Sequence, residues 1–97
     1  MTKHRRILNY ISIVRNAHPS MVEIYTRGSC MNFFYQLRSI YPEAKAYYNG
    51  SHVITKIGKY YYDITGVVKN TKKYLLYGES YYKKDRVSRG FNQMINN

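Results

Sequence analysis

The chain has one cysteine, two prolines, no tryptophan and only five acidic residues. Each scarcity excludes something. A single thiol, Cys30, rules out an internal disulfide framework and any multi-cysteine zinc site. No apolar run approaches the roughly 18 to 20 residues that a membrane helix needs, so no membrane association is expected. The segment from Met1 to Arg15 is basic early, but Asn9, Ser12 and Arg15 interrupt its apolar stretch. A secretory signal requires an unbroken apolar region of about 7 to 15 residues and a small-residue cleavage site. Export is therefore not expected, and the cytoplasm, that of the host if the gene is viral, is the default location. His4 and His18 have no cysteine or carboxylate at ligand spacing, and no glycine loop for phosphate exists, so no metal or cofactor is expected.

What is present is charge and tyrosine. Sixteen Lys and Arg against five Asp and Glu leave a net charge of +11 on 97 residues. Such a surplus attracts phosphate polyanions or an acidic protein. Thirteen of the sixteen aromatic residues are tyrosines, which bury a ring while keeping the hydroxyl wet and so suit half-buried sheets. Aromatic and β-branched residues are too plentiful for a disordered chain. The length suffices for one domain. Abundant Lys, Asn, Ile and Tyr fit an AT-rich genome and a small viral or phage gene.

Along the chain, Ile7, Leu8, Ile11 and Val14 fall on one helix face, with Thr2 as cap and Pro19 beyond the end. Residues 1–18 thus form an N-terminal amphipathic helix with its connection. Met21 to Tyr25 reads as a short strand or extended approach. From Cys30 to Ile40, Met31, Phe33, Phe34, Leu37 and Ile40 predict a helix buried over more than half its circumference. Ser29 is its candidate N-cap and Pro42 its stop. Ala44 to Tyr48, His52 to Ile57, Tyr60 to Ile64 and Tyr74 to Tyr77 read as strands, with Asn49-Gly50 and Gly58-Lys59 as hairpin turns. Gly66 is expected to end the second pair. The fold class is α+β: two helices and an antiparallel sheet of three or four strands, the cysteine helix and sheet spanning residues 28–77. Residues 79–97 form a basic C-terminal segment.

Cys30, His52 and Asp63 are the candidates for chemistry. Cys30 opens a helix, where free backbone N–H groups and the helix dipole stabilise a thiolate. His52 starts a strand and can take the thiol proton. The Gly58-Lys59 turn pairs residue 57 with 60, so His52 and Asp63 become diagonal neighbours on one face. The acid then fixes the imidazole tautomer. A slip of one residue would part them. Taken singly, each residue has a plainer role: a small buried hydrophobe, a hydrogen-bonded strand histidine and a strand-end acid.

Gly28-Ser29-Cys30 opening an apolar helix, His52 starting a strand, and Tyr61-Tyr62-Asp63-Ile64-Thr65-Gly66 together resemble small papain-like cysteine hydrolases, in particular compact phage and bacterial members. The resemblance covers residues 28 to 66. It implies a helix-on-sheet core, cleavage or transfer of acyl groups at peptide or amide bonds, Cys30 as nucleophile, His52 as base and Asp63 as its orienter. The resemblance implies the Cys30 N–H as one oxyanion donor. Met21 to Ser29 contain no Gln or Asn to act as the second. The competing reading is a basic binding protein for nucleic acid or a host protein, built on a degenerate hydrolase scaffold. Tyr81, Tyr82, Lys83 and Lys84 are its leading contacts, since aromatics stack on bases and lysines neutralise phosphates. The expected partner is an acidic protein or a peptide or amide substrate, with nucleic acid as the alternative.

Overall fold

A computed structural model describes residues 1–78. Tyr81, Tyr82, Lys83 and Lys84, with the whole segment 79–97, lie outside the described residues.

Helix α1 spans Lys3–Asn16. Its Thr2 hydroxyl accepts a hydrogen bond from the Arg5 N–H at 3.2 Å, the side-chain cap that the sequence calls for. Ile7 and Ile11 are fully buried and Leu8 and Val14 pack beside them, so the apolar stripe faces inward.

The next segment corrects the expectation of a strand. Met21–Arg27 form helix α2. Its β-branched residues favour a strand locally, but the decisive contacts come from elsewhere in the chain. Tyr25 packs on Phe33 with ring centroids 5.2 Å apart, and its hydroxyl accepts from Gln36 Nε2 at 2.6 Å. The Thr26 hydroxyl bonds back to the Val22 carbonyl at 2.7 Å, a contact that only helical backbone provides.

Helix α3 spans Cys30–Ile40 and buries Phe33, Phe34 and Leu37. Ser29 occupies the N-cap position but its side chain makes no capping bond, contrary to expectation. Gln36 joins the three helices. It accepts from the Tyr10 hydroxyl of α1 at 3.0 Å while donating to Tyr25 of α2. Tyr41 ends the helix with its N–H on the Leu37 carbonyl at 2.7 Å, and Pro42 follows.

The sheet is antiparallel: β1 Lys45–Tyr48, β2 Val53–Ile57, β3 Tyr60–Asp63, β4 Gly66–Val67 and β5 Leu75–Leu76, in the order β4-β3-β2-β1-β5. Five strands replace the three or four expected, because Gly66 does not end the pairing. Asp63 pairs with Gly66, and a second tight turn feeds β4. Gly66 has φ +114°, a conformation that only glycine adopts freely. Asp63 holds that turn by accepting from the Thr65 N–H at 2.8 Å and from the Thr65 hydroxyl.

The β2–β3 register agrees with the sequence pattern. Thr55 faces Tyr62 and Ile57 faces Tyr60 across the Gly58-Lys59 turn. Val53, Thr55, Ile57, Tyr62 and Ile64 are accordingly buried, but Tyr60 on the same face is only half-buried and Ile54 on the other face is buried as well. Ala46, Val53, Ile57, Tyr62 and Ile64 pack on Ile7, Ile11, Phe33, Phe34 and Leu37, and this core clamps α3 onto the sheet. At the edge of this core, the Tyr62 hydroxyl shares a part-buried 2.6 Å hydrogen bond with His4 Nδ1.

Candidate active site

Three pieces of local structure bring Cys30, His52 and Asp63 together. Cys30 is the first residue of α3 and half-buried. His52 is the last residue before β2 rather than its first. Its position is set by Asn49, whose side-chain oxygen accepts from the N–H groups of Ser51 at 3.0 Å and His52 at 2.8 Å. This Asx-type turn is what the Asn49-Gly50 pair makes, a connection longer than the two-residue hairpin it resembles. Asp63 ends β3.

His52 Nε2 donates to Asp63 Oδ2 at 3.1 Å, with side-chain exposures of 17% and 13%. That bond assigns the tautomer of the neutral ring. Nε2 is committed to the carboxylate, which leaves Nδ1 as the basic nitrogen. Nδ1 is buried and has no hydrogen-bond partner at normal length and angle. The group it can serve is the Cys30 thiol, whose interaction with His52 is the strongest influence on the thiol's acidity. No hydrogen bond of normal length and angle joins Nδ1 to the thiol.

The electrostatics follow from this chain of contacts. The approach of His52 lowers the Cys30 pKa; burial opposes it, and the backbone N–H groups of Val53 and Met31 add to the lowering, so the thiol sits below its ordinary value. The hydrogen bond to Asp63, then the contact with Cys30, raise His52 from 6.5 to about 9 against the effect of burial. Burial pushes the Asp63 carboxyl up. Hydrogen bonds from His52 and from the hydroxyl and N–H of Thr65 outweigh it and hold the carboxyl below its usual range. The contact thus shifts both partners toward the charged forms, thiolate and imidazolium, relative to the free groups.

Tyr74 is a neighbour that sequence reasoning missed. Its ring stands edge-on to His52 at 6.5 Å between centroids. Burial, then the negative charges of Asp63 and Cys30, push its hydroxyl pKa upward. The sequence placed Tyr74 in the last strand, but nothing local linked it to residues 52 and 63. A cavity of about 280 Å³ opens on Cys30, lined by Arg27, Gly28, Met31, Tyr48, Ser51, Val53 and Tyr77. A second, of about 420 Å³, shares Tyr48 and Tyr77 with it. Among the described residues, no group of three or more His, Cys, Asp and Glu is arranged to hold a metal ion. None of the described helices is long and apolar enough to cross a membrane.

These features define a small α+β domain whose one cysteine, at a helix start, stands in line with a histidine and an acid. The chain belongs to the phage YunG-like protein family, whose model matches residues 7–93. A small viral or phage protein is what the abundance of Lys, Asn, Ile and Tyr fits. No curated protein and no solved structure shows a significant match.

Proposed function

We propose that this protein is a cysteine hydrolase or acyl transferase of papain-like type, acting on peptide or amide bonds in the host cytoplasm. The observation that supports it is the serial arrangement Cys30, His52 Nδ1, His52 Nε2, Asp63, opening on a cavity. A lone buried cysteine needs neither an oriented base nor an open face.

In this reading the Cys30 thiolate attacks the carbonyl carbon, forming a C–S bond and moving the carbonyl electron pair onto oxygen. The Cys30 N–H, at the helix start, faces that oxyanion. Collapse restores the carbonyl and breaks the C–N bond, and the imidazolium gives its Nδ1 proton to the departing amine. Water, losing a proton to the now neutral His52, attacks the thioester. The carboxylic acid leaves and the sulfur departs as thiolate beside a re-formed imidazolium. Asp63 stays ionised throughout and keeps Nε2 protonated.

The test uses p-nitrophenyl acetate at about pH 6, where an ordinary thiol is almost wholly protonated. The expected result is rapid gain of one acetyl group on Cys30 by mass spectrometry, lost in Cys30→Ala and strongly slowed in His52→Gln. A Cys30 that reacts no faster than a free thiol sinks the proposal.

The alternative, a basic nucleic-acid-binding protein, has one supporting observation among the described residues. The Lys56 ammonium lies 6.0 Å from the Tyr47 ring and 5.5 Å from the Tyr61 ring, and these two rings meet edge to face. Single-stranded nucleic acid uses such cation and aromatic surfaces. Binding that Lys56→Glu abolishes, that weakens with salt and that Cys30→Ala leaves intact would favour this reading.

A further inference from the structure

The walls of the Cys30 cavity carry one formally charged side chain besides the thiol itself, Arg27. It ends α2, three residues before Cys30, and is exposed. Among the described residues Arg27 meets no carboxylate: the ion pairs are Lys3 with Glu43 and His52 with Asp63. Glu23 stands one helical turn earlier, at a spacing that suits a pair, yet no bond joins them. Among the described residues, no acidic one lines this cavity or the adjoining one, where Lys73 is the charged side chain. Cys30 thus shares its cavity with Arg27, and the adjoining cavity adds Lys73 and an apolar stretch at Leu75 and Leu76, which are 73% and 55% exposed.

In the last turn of α2 the Arg27 cation complements the helix dipole, a role that does not require a place on the Cys30 cavity. Placed beside a nucleophile it supplies charge complementarity, because it presents planar donors matched to a carboxylate. We infer that the Cys30 site takes an acyl substrate bearing a carboxylate close to the reacting carbonyl, and that Arg27 is the residue that selects it. This rests on the hydrolase reading. An acidic peptide or amide is the chemical class that fits, its carboxylate on Arg27 and its apolar part toward Leu75 and Leu76. The same field disfavours basic peptides, which the +11 charge already repels.

The experiment compares two alkylating probes of nearly equal size, iodoacetate and iodoacetamide. Both form an S–C bond to Cys30 and release iodide, but only iodoacetate places a carboxylate next to the attacked carbon. The ratio of their rates at about pH 6 and low salt isolates recognition of that charge from thiol activation. Arg27→Gln is expected to lower the iodoacetate-to-iodoacetamide ratio about fivefold, the factor given by about 1 kcal/mol for a solvated charge pair. Arg27→Lys retains most of the ratio. Lys59→Gln, in the Gly58-Lys59 turn, changes it little. The imidazolium of His52 contributes equally in every variant. Rapid iodoacetamide reaction with a ratio that Arg27→Gln leaves unmoved overturns the role of Arg27 and spares the hydrolase reading. Slow iodoacetamide reaction, no faster than that of a free thiol, overturns both.

Discussion

The His52 Nε2–H bond to Asp63 Oδ2, 3.1 Å long, decides which nitrogen is left to face Cys30. Without the carboxylate the ring has no reason to keep its proton on Nε2, and the imidazolium loses its main support. Asp63→Asn should bring His52 down from about 9 toward 6.5, visible as a shift of its ring-proton resonance on titration. The pH at which Cys30 becomes reactive to iodoacetamide should rise in step. Any turnover found should fall by on the order of 10²- to 10⁴-fold. An unchanged His52 titration would contradict the assignment.

Stability should follow the same pair through pH. His52 is raised on folding, so its contribution is complete below about 6.5 and is lost as pH climbs through about 9. Asp63 is lowered, so its contribution is complete above the ordinary carboxylate range and is lost as pH falls through its folded value. The difference in melting temperature between the natural protein and Asp63→Asn should be widest near about pH 5 to 6 and should shrink toward about pH 9. A difference that grows with pH would mean that His52 is neutral in the folded protein.

Turnover carries its own pH limit. The departing amine takes its proton from imidazolium, so the rate of amide cleavage should decline above about pH 9, where His52 loses that proton. Thiol alkylation needs no such proton and should hold its plateau there. A parallel decline of both would point to unfolding instead.

Leu37 lies at the centre of the contact between α3 and the sheet, with no exposure to solvent. Leu37→Ala should cost about 2 to 5 kcal/mol, read from the midpoint of urea unfolding. For a domain this small that is a large fraction of the total stability. Cys30 should then become reactive without selectivity between the charged and neutral probes.

At Gly66 the cost is conformational. A Cβ there would meet nothing within 4 Å, yet φ is +114°. Gly66→Ala should destabilise by about 1 to 3 kcal/mol through backbone strain alone. Because Asp63 pairs with Gly66, part of the Asp63→Asn shift in Cys30 reactivity should accompany it.

Sequence periodicity was enough for α1, α3, the β2–β3 register and the buried face of the sheet, because each is written in residues close along the chain. The His52–Asp63 contact belongs here too: a two-residue turn between β-strands leaves one register, and the register sets the face. Where local preference and long-range packing disagree, sequence reading failed. Met21 to Tyr25 resemble a strand, and only Phe33 and Gln36 make them helical. The fourth strand depended on a glycine conformation that a pattern of polarity does not reveal.

By itself, then, the sequence determined the helix that presents Cys30, the hairpin that aligns His52 with Asp63, and the excess of positive charge. The tertiary structure alone decided that Nδ1 is buried without a hydrogen-bond partner, that Tyr74 stands edge-on to the imidazole and that Arg27 edges the cavity. Those relations join segments distant along the chain or set side-chain direction. They are fixed by the core of Phe33, Phe34, Leu37 and Tyr62 packing α3 on the sheet, which no local spacing encodes.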